Sequence, residues 1–287
     1  MIVITGASGQ LGRLVIENLL QTLPAGEIVA AVRDPQKVPD LAARGVQVRQ
    51  ADYDRPESLA AAFKGADKLL LISGSEVGRR VPQHRAAIEA AKAAGVGLLA
   101  YTSLLHAGTS PLPLAIEHKE TESLIRASGL PAVILRNGWY TENYLAGVAV
   151  ALQHGVLLGS AGEGRIASAA RADYAAAAAA VLTQDGQAGR IYELAGDTSY
   201  TLGELAAAIA GQSGKTVAYQ NLPEAEFRAV LLDAGLPEGL ATLLAESDVG
   251  ASKGGLFDDS HQLSGLIGRP TTPLAVLLER QLAALAG

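Results

Sequence analysis

The eight residues Thr5-Gly6-Ala7-Ser8-Gly9-Gln10-Leu11-Gly12 constrain this chain more than any others. They follow the apolar run Ile2-Val3-Ile4 directly and open a segment in which Leu11, Leu14, Val15, Asn18 and Leu19 recur at helical spacing. The pattern is G-x-x-G-x-x-G rather than the commoner G-x-G-x-x-G, yet each glycine keeps a mechanical task. The first permits a tight turn, the second lets a diphosphate approach the backbone, and the third allows the helix to pack closely on the strand. The helix start offers amides without intrahelical acceptors and the positive end of the helix dipole, a setting that suits phosphate. The plain alternative is an ordinary glycine turn; its place after the first strand favours a cofactor loop.

The rest of the first two thirds repeats strand and helix. Strand-like runs stand at Ile2–Thr5, Ile28–Val32, Val46–Gln50, Lys68–Ile72, Leu98–Thr102 and Ala132–Leu135, with helical segments beginning near Gln10, Pro35, Pro56, Val81 and Glu117. Continuous apolar strands separated by helices predict a parallel sheet covered on both faces. Asp34-Pro35 suits an N-cap followed by proline, and Gly95 and Gly129 fall where helix C-caps are expected. Beyond about Gly155 the alternation weakens: strands near Val156–Leu158 and Ile191–Leu194, and a further one within Lys215–Leu222, mix with helices near Asp173–Leu182 and Leu202–Ala210 and two more around Pro223–Glu246. The expected fold is a Rossmann-type, doubly wound α/β sheet with a smaller, mostly helical C-terminal lobe. Residues 1–154 are expected to form the dinucleotide-binding domain and 155–287 a smaller substrate-side lobe, with later segments rejoining the sheet.

Two further positions speak to the cofactor. Arg33 ends the second strand, where an NAD enzyme normally places a carboxylate for the ribose 2′-hydroxyl. A guanidinium there can clamp a 2′-phosphate, so NADPH is favoured over NADH; the alternative is a solvated surface charge. Asp34 is better explained as the cap of the following turn. Ser73-Gly74-Ser75 ends the fourth strand beside the expected switch point, where small residues let a cofactor lie close, unless it is a plain loop.

Composition narrows the functional classes. A net charge of −6 argues against a broad nucleic-acid surface, and the absence of cysteine removes disulfides, thiolate metal sites and cysteine nucleophiles. The five histidines show no metal-ligand spacing, so no metal is expected. No apolar run reaches the roughly 18 residues that span a bilayer, and with Met1-Ile2-Val3 running straight into the first strand no targeting segment is expected. A cytoplasmic protein is expected; the oligomeric state is open.

The TGASGQLG opening, VRDP, LLLISGSEVG, AYTSLLHA, LRNGWYTENYL, RADYAAAAA, YELAGD and DVGASKGGLFDDS together resemble the NmrA-like branch of the atypical short-chain dehydrogenases over nearly the whole chain. The resemblance implies NADPH-dependent reduction of a quinone. Related members of the branch suggest a triphenylmethane dye or another planar acceptor, or a regulator that senses NADP(H) without turnover. It implies that Gly6, Ala7, Ser8, Gly9, Gln10 and Leu11 hold the diphosphate, Arg33 the 2′-phosphate, and Ser73, Gly74 and Ser75 the adenosine side. Asn137, Gly138, Trp139, Tyr140, Thr141 and Glu142 would line the nicotinamide side, with Arg171 completing the site. The residues themselves lend support to the Asn137 segment, which follows the sixth strand at the carboxyl edge and carries the single tryptophan; packing is the alternative for Trp139 and Tyr144, and a structural ion pair for Arg171.

Alcohol-active short-chain dehydrogenases use a tyrosine and a lysine four residues on; Leu114 and His118 stand at those places, so the acid is missing. A quinone relaxes that demand, because hydride arrival leaves a delocalised, weakly basic oxyanion. His118 is the best remaining proton donor or ribose contact, set against an interface histidine beside a solvated face of Glu117, Lys119, Glu120 and Glu122. Ser103, Tyr140, Asn143 and Tyr144 are weaker candidates. Gly250–Asp259 reads as a small-residue loop, either a lid with Phe257 as a wall or, more simply, the capping region of the next helix through Asp258 or Asp259.

Overall fold

The computed structural model describes residues 1–286. Its strands and helices follow in the order β1 (Ile2–Thr5), α1 (Gln10–Leu19), β2 (Ile28–Val32), α2 (Pro39–Ala43), β3 (Gln47–Gln50), α3 (Pro56–Phe63), β4 (Lys68–Leu71), α4 (Arg80–Ala93), β5 (Leu98–Leu104), α5 (Ala115–Ser128) and β6 (Ala132–Asn137). Then come α6 (Thr141–Leu145), α7 (Val148–His154), β7 (Val156–Gly159), α8 (Arg171–Thr183), β8 (Ile191–Leu194), α9 (Leu202–Ser213), β9 (Ala218–Asn221), α10 (Glu224–Asp233), α11 (Glu238–Ser252), α12 (Gln262–Ile267) and α13 (Leu274–Ala286). Among the described residues no helix is long and apolar enough to cross a membrane.

Seven strands form one sheet in the order β3-β2-β1-β4-β5-β6-β8, and β1 through β6 pair in parallel. This is the doubly wound Rossmann arrangement, with the direction of winding reversing between β1 and β4. The sequence explains who sits where. Every residue of β1, β2 and β5 is buried, as continuous apolar strands covered on both faces require, whereas the polar β3 (Gln47-Val48-Arg49-Gln50) takes the outer edge. Val3, Val29, Leu59, Phe63, Leu69, Leu71, Leu99 and Tyr101 share one buried cluster on one side of this sheet.

The chain divides into two compact units. Residues 1–107, 116–137 and 171–192 make the first, and the remaining described residues make the second, which is mostly helical around the short parallel pair β7-β9. Thr201 opens α9 with a complete capping box, its hydroxyl accepting from the Glu204 amide while Glu204 accepts from the Thr201 amide.

Several local expectations change. The helix expected at Pro35 is a 3-10 turn, Pro35–Lys37, capped by Asp34 through the Gln36 amide at 3.0 Å; the α-helix starts only at Pro39. β6 runs two residues past the expected Ala132–Leu135, so Asn137 is its last residue and not part of the segment that follows it. The stretch from Gly250 is not a loose lid: α11 runs through Ser252, and a Cβ on Gly250 or Gly255 would stand 2.7 or 2.4 Å from the Leu112 side chain. Those glycines serve close packing. Nor does an aspartate cap α12, since His261 holds the cap position in a left-handed conformation and Asp258 accepts from the Ser260 amide one turn earlier.

Gly12 gives the sharpest packing test. A Cβ there would meet Gly6 O at 2.6 Å and Ala7 Cα at 2.8 Å, both backbone atoms, whereas one on Gly26 meets nothing within 4 Å. Gly12→Ala is expected to destabilise the protein by about 1–3 kcal/mol and lower its Tm by several degrees, with Gly26→Ala within about 0.5 kcal/mol of the parent. Calorimetry that finds the two variants equally stable would contradict this packing.

Candidate functional site

The reversal of strand order opens a crevice at the carboxyl ends of β1 and β4. A cavity of about 250 Å³ lies there, lined by Thr5 at the end of β1 with Gly6, Ser8 and Gly9 after it, by Ala31 and Arg33 at the end of β2, by Ala51, Asp52 and Tyr53 after β3, and by Ile72 to Glu76 with Gln83 after β4. Four loops from one sheet edge therefore converge. Gly6 turns with φ +59°, a left-handed conformation that suits glycine, and Gly9 takes the N-cap position of α1 with extended backbone. A Cβ on Gly9 would lie 3.2 Å from Gly6 O, so the loop is drawn close to its own helix. The first amides of α1 have no intrahelical acceptor. This cradle, with a guanidinium at its rim and no first-turn carboxylate on α1, fits the diphosphate of a dinucleotide.

Of the residues expected at a cofactor, Gly6, Ser8, Gly9, Arg33, Ser73, Gly74 and Ser75 line the cavity. Ala7 and Leu11 are buried and do not line it, and Gln10 is exposed at the start of α1, where its side-chain oxygen accepts from Arg171. Arg33 is largely exposed and donates to Glu76 Oε1 at 3.1 Å; Glu76 also receives Arg79 at 3.3 Å, and Arg79 reaches Asp54 at 2.9 Å. Of this exposed, solvent-screened chain, Arg33 and Glu76 line the cavity.

The remaining expected positions are Asn137, which ends β6, and the stretch that follows it. Asn137 is buried, and its side-chain oxygen has no hydrogen-bond partner. Within the second unit, Gly138 donates to Leu194 O at 2.7 Å, Trp139 is buried, and Thr141 donates its amide to Ala169 O at 3.0 Å. The Thr141 hydroxyl joins Ser168 at 2.8 Å, which in turn joins the Tyr200 hydroxyl at 2.6 Å. Tyr140, Glu142 and Asn143 are half-buried, with the Asn143 amide donating to Tyr140 O. The Tyr144 hydroxyl is committed to Asp248, so its role in the fold is to fasten α6 to α11.

The candidate proton donors fare differently. His118 is buried, does not line the cavity, and has Nδ1 2.8 Å from the Tyr101 hydroxyl. Burial first, and the charges of Arg80 and His84 after it, push its pKa down to about 3. In this arrangement the imidazole is neutral at neutral pH, tied to a core tyrosine and set back from the cavity lining. The solvated face expected around it is corrected, because only Lys119 and Glu120 are exposed. Glu117 accepts from the amides of Gly78 and Arg80 at the start of α4, and Glu122 is a buried partner of Arg136 at 2.7 and 2.9 Å. Ser103 donates its hydroxyl to that same Glu122.

A family model described as NAD(P)H-binding matches residues 6–185. The chain belongs to the NAD(P)H-binding family. It is 63% identical over 275 residues, 96% of each chain, to quinone oxidoreductase 2 of Escherichia coli (strain K12). A crystal structure of an NADPH-dependent quinone oxidoreductase of Escherichia coli in complex with NADPH superposes with a TM-score of 0.96 at 62% identity, covering 98% of this chain and 100% of that one. The triphenylmethane reductase of a Citrobacter species, complexed with NADP(H), superposes at 0.95 with 39% identity over 98% and 100% of the chains.

Sequence reasoning missed the contribution of the segment after β3 to the crevice. Asp52 and Tyr53 reach it because β3 lies two strands from β1, and the only local signal was a polar break after Val46–Gln50. It also missed Glu76 and Gln83, which follow the Ser73–Ser75 loop closely in sequence.

The buried histidines make a pH prediction. His84 is pushed down to about 4 and His118 to about 3, so the unfolded chain takes up protons that the fold refuses. Their stabilising contribution is complete above about pH 6.5 and is lost as pH falls through the folded values. His118→Gln is expected to unfold at pH 5 with close to one proton fewer taken up, giving a flatter dependence of Tm on pH between 6.5 and 4. Superimposable slopes for variant and parent would contradict the burial argument.

Proposed function

We propose that this protein oxidises NADPH and reduces quinones, with the crevice at β1 and β4 as the dinucleotide site. The observation that carries the reading is the near full-length likeness to quinone oxidoreductase 2, and the geometry of the crevice supports it. When bound, the nicotinamide supplies the hydride. The chain's part is to bind, orient and shield. Gly6 to Leu11 receive the diphosphate on the backbone and the start of α1, Arg33 receives the 2′-phosphate by charge-assisted bonds, and Ser73 to Ser75 receive the adenosine side. Asn137 to Glu142 are proposed for the nicotinamide end, with Tyr140 and Asn143 as contacts there, and Arg171 steadies the glycine loop through Gln10.

No strong acid is assigned. A quinone that has accepted hydride leaves a delocalised oxyanion, and solvent can protonate it, so positioning matters more than proton donation. A second reading, reduction of a cationic triarylmethane dye, draws on the likeness to the Citrobacter triphenylmethane reductase; a panel of quinones and dyes separates the two. A cytoplasmic workplace belongs to the same proposal.

The test is steady-state NADPH oxidation with a quinone as the acceptor. Activity is expected with NADPH well above that with NADH. Arg33→Gln is expected to raise the KM for NADPH about 10- to 100-fold while leaving NADH kinetics nearly unchanged, the range set by losing a charge-assisted contact to phosphate. Equal loss toward both dinucleotides, or no loss toward either, would contradict the assignment.

A further inference from the structure

We propose that His84 is a positioning residue of the dinucleotide crevice: its imidazole holds the Gly74 peptide in the conformation that lines the cavity. The inference rests on the reading of that cavity as the NADPH site.

The loop after β4 gets little help from other backbone. Three consecutive amides, those of Ile72, Ser73 and Gly74, donate to side chains: to Thr5 Oγ1 at 3.0 Å, Thr102 Oγ1 at 2.9 Å and His84 Nε2 at 2.9 Å. Thr5 and Thr102 belong to the sheet, on β1 and β5. Of the three acceptors, His84 is the one that stands on a helix, α4. The Gly74 carbonyl is taken from the same helix, by Arg80 Nε at 2.5 Å. Residues 80 and 84 are one turn apart on α4, so a single helical face grips both polar groups of one residue. Between them Gln83 fills the space, its Oε1 3.1 Å from where a Gly74 Cβ would stand.

Hydrogen-bond bookkeeping fixes the histidine's tautomer. Thr121 donates its hydroxyl proton to Glu117 O at 2.8 Å, so its oxygen accepts from His84 Nδ1, 3.0 Å away. Nδ1 therefore carries the proton, and the Nε2 lone pair faces the Gly74 amide. The ring cannot turn: it is fully buried, with Tyr53 and Tyr101 edge-on at centroid distances of 6.1 and 5.5 Å. Burial, and Arg80 beside it, keep the imidazole neutral, as an acceptor must be. A histidine that only filled the core would pair with core groups. This one spends its free lone pair on a backbone amide of the cavity wall.

The side-chain amides separate this role from packing. Gln at position 84 extends far enough to offer its carbonyl to the Gly74 amide; Asn reaches only as far as Nδ1 does and keeps the Thr121 contact alone. Calorimetric titration with NADPH of the full-length His84→Leu, His84→Asn and His84→Gln variants, with kcat measured at saturating NADPH and quinone, reads the difference. Leu and Asn are expected to weaken NADPH binding about tenfold or more, because a buried amide is left unpaired, and Gln to stay within about threefold. The kcat and the quinone KM are expected to stay within about twofold for all three. An unchanged Kd in His84→Leu, equal losses in Asn and Gln, or a fall in kcat at constant Kd would overturn the proposal. Should the leucine variant not fold, the Asn and Gln pair decides alone. Arg33→Gln in the same titration keeps the readings apart: if it leaves NADPH binding unchanged, the site assignment fails, whereas if it weakens binding while His84→Leu does not, only the positioning role is lost.

Discussion

The contact between the turn at Gly6 and the first turn of α1 is the constraint on which the site depends. Gly12 lies so close to Gly6 O and Ala7 Cα that no side chain fits, and this brings the start of the helix directly over the end of β1. Because the strand order reverses between β1 and β4, the same point is where the sheet edge opens. An anion placed there meets amides and the positive end of a helix at once, and neither feature needs to move to meet it.

Around that fixed point the crevice is held by side chains. Thr5 ties β1 to the β4 loop by accepting from the Ile72 amide and donating to Leu70 O, while the Tyr53 hydroxyl stands 2.6 Å from Thr5 Oγ1 and 2.8 Å from Ile72 O. Burial raises the Tyr53 pKa well above its ordinary value, so this hydroxyl stays protonated and works as a structural tie. Toward the interior, Thr102, His84, Thr121 and Glu117 continue the network, and toward solvent Arg33, Glu76, Arg79 and Asp54 form an exposed chain of ion pairs. The buried half is rigid because each polar group has few alternatives; the exposed half is screened and exchangeable, as a site that admits a charged ligand requires.

Much of this was legible in the sequence, and the reasons are local ones. Buried parallel strands read as unbroken apolar runs, the glycine loop announces itself by spacing, and Arg33 is one residue beyond a strand end. What failed depended on distant packing. Glycines at 250 and 255 suggested freedom, but their partner is Leu112, more than a hundred residues earlier. Glu117 and Glu122 suggested a solvated helix face, yet one caps α4 and the other pairs with Arg136. His118 and His84 are both histidines on helices of the first unit; only tertiary structure distinguishes the one tied to Tyr101 from the one tied to a cavity-lining amide. The family resemblance supplied the acceptor, which no single residue specifies.

The most direct test of the central claim is a crystal structure of this protein with NADPH. The diphosphate is expected about 3 Å from the amides that open α1, with Arg33 turned from Glu76 to the 2′-phosphate. A dinucleotide bound elsewhere, or one whose 2′-phosphate stands in solvent while Arg33 keeps its contact with Glu76, would contradict the account.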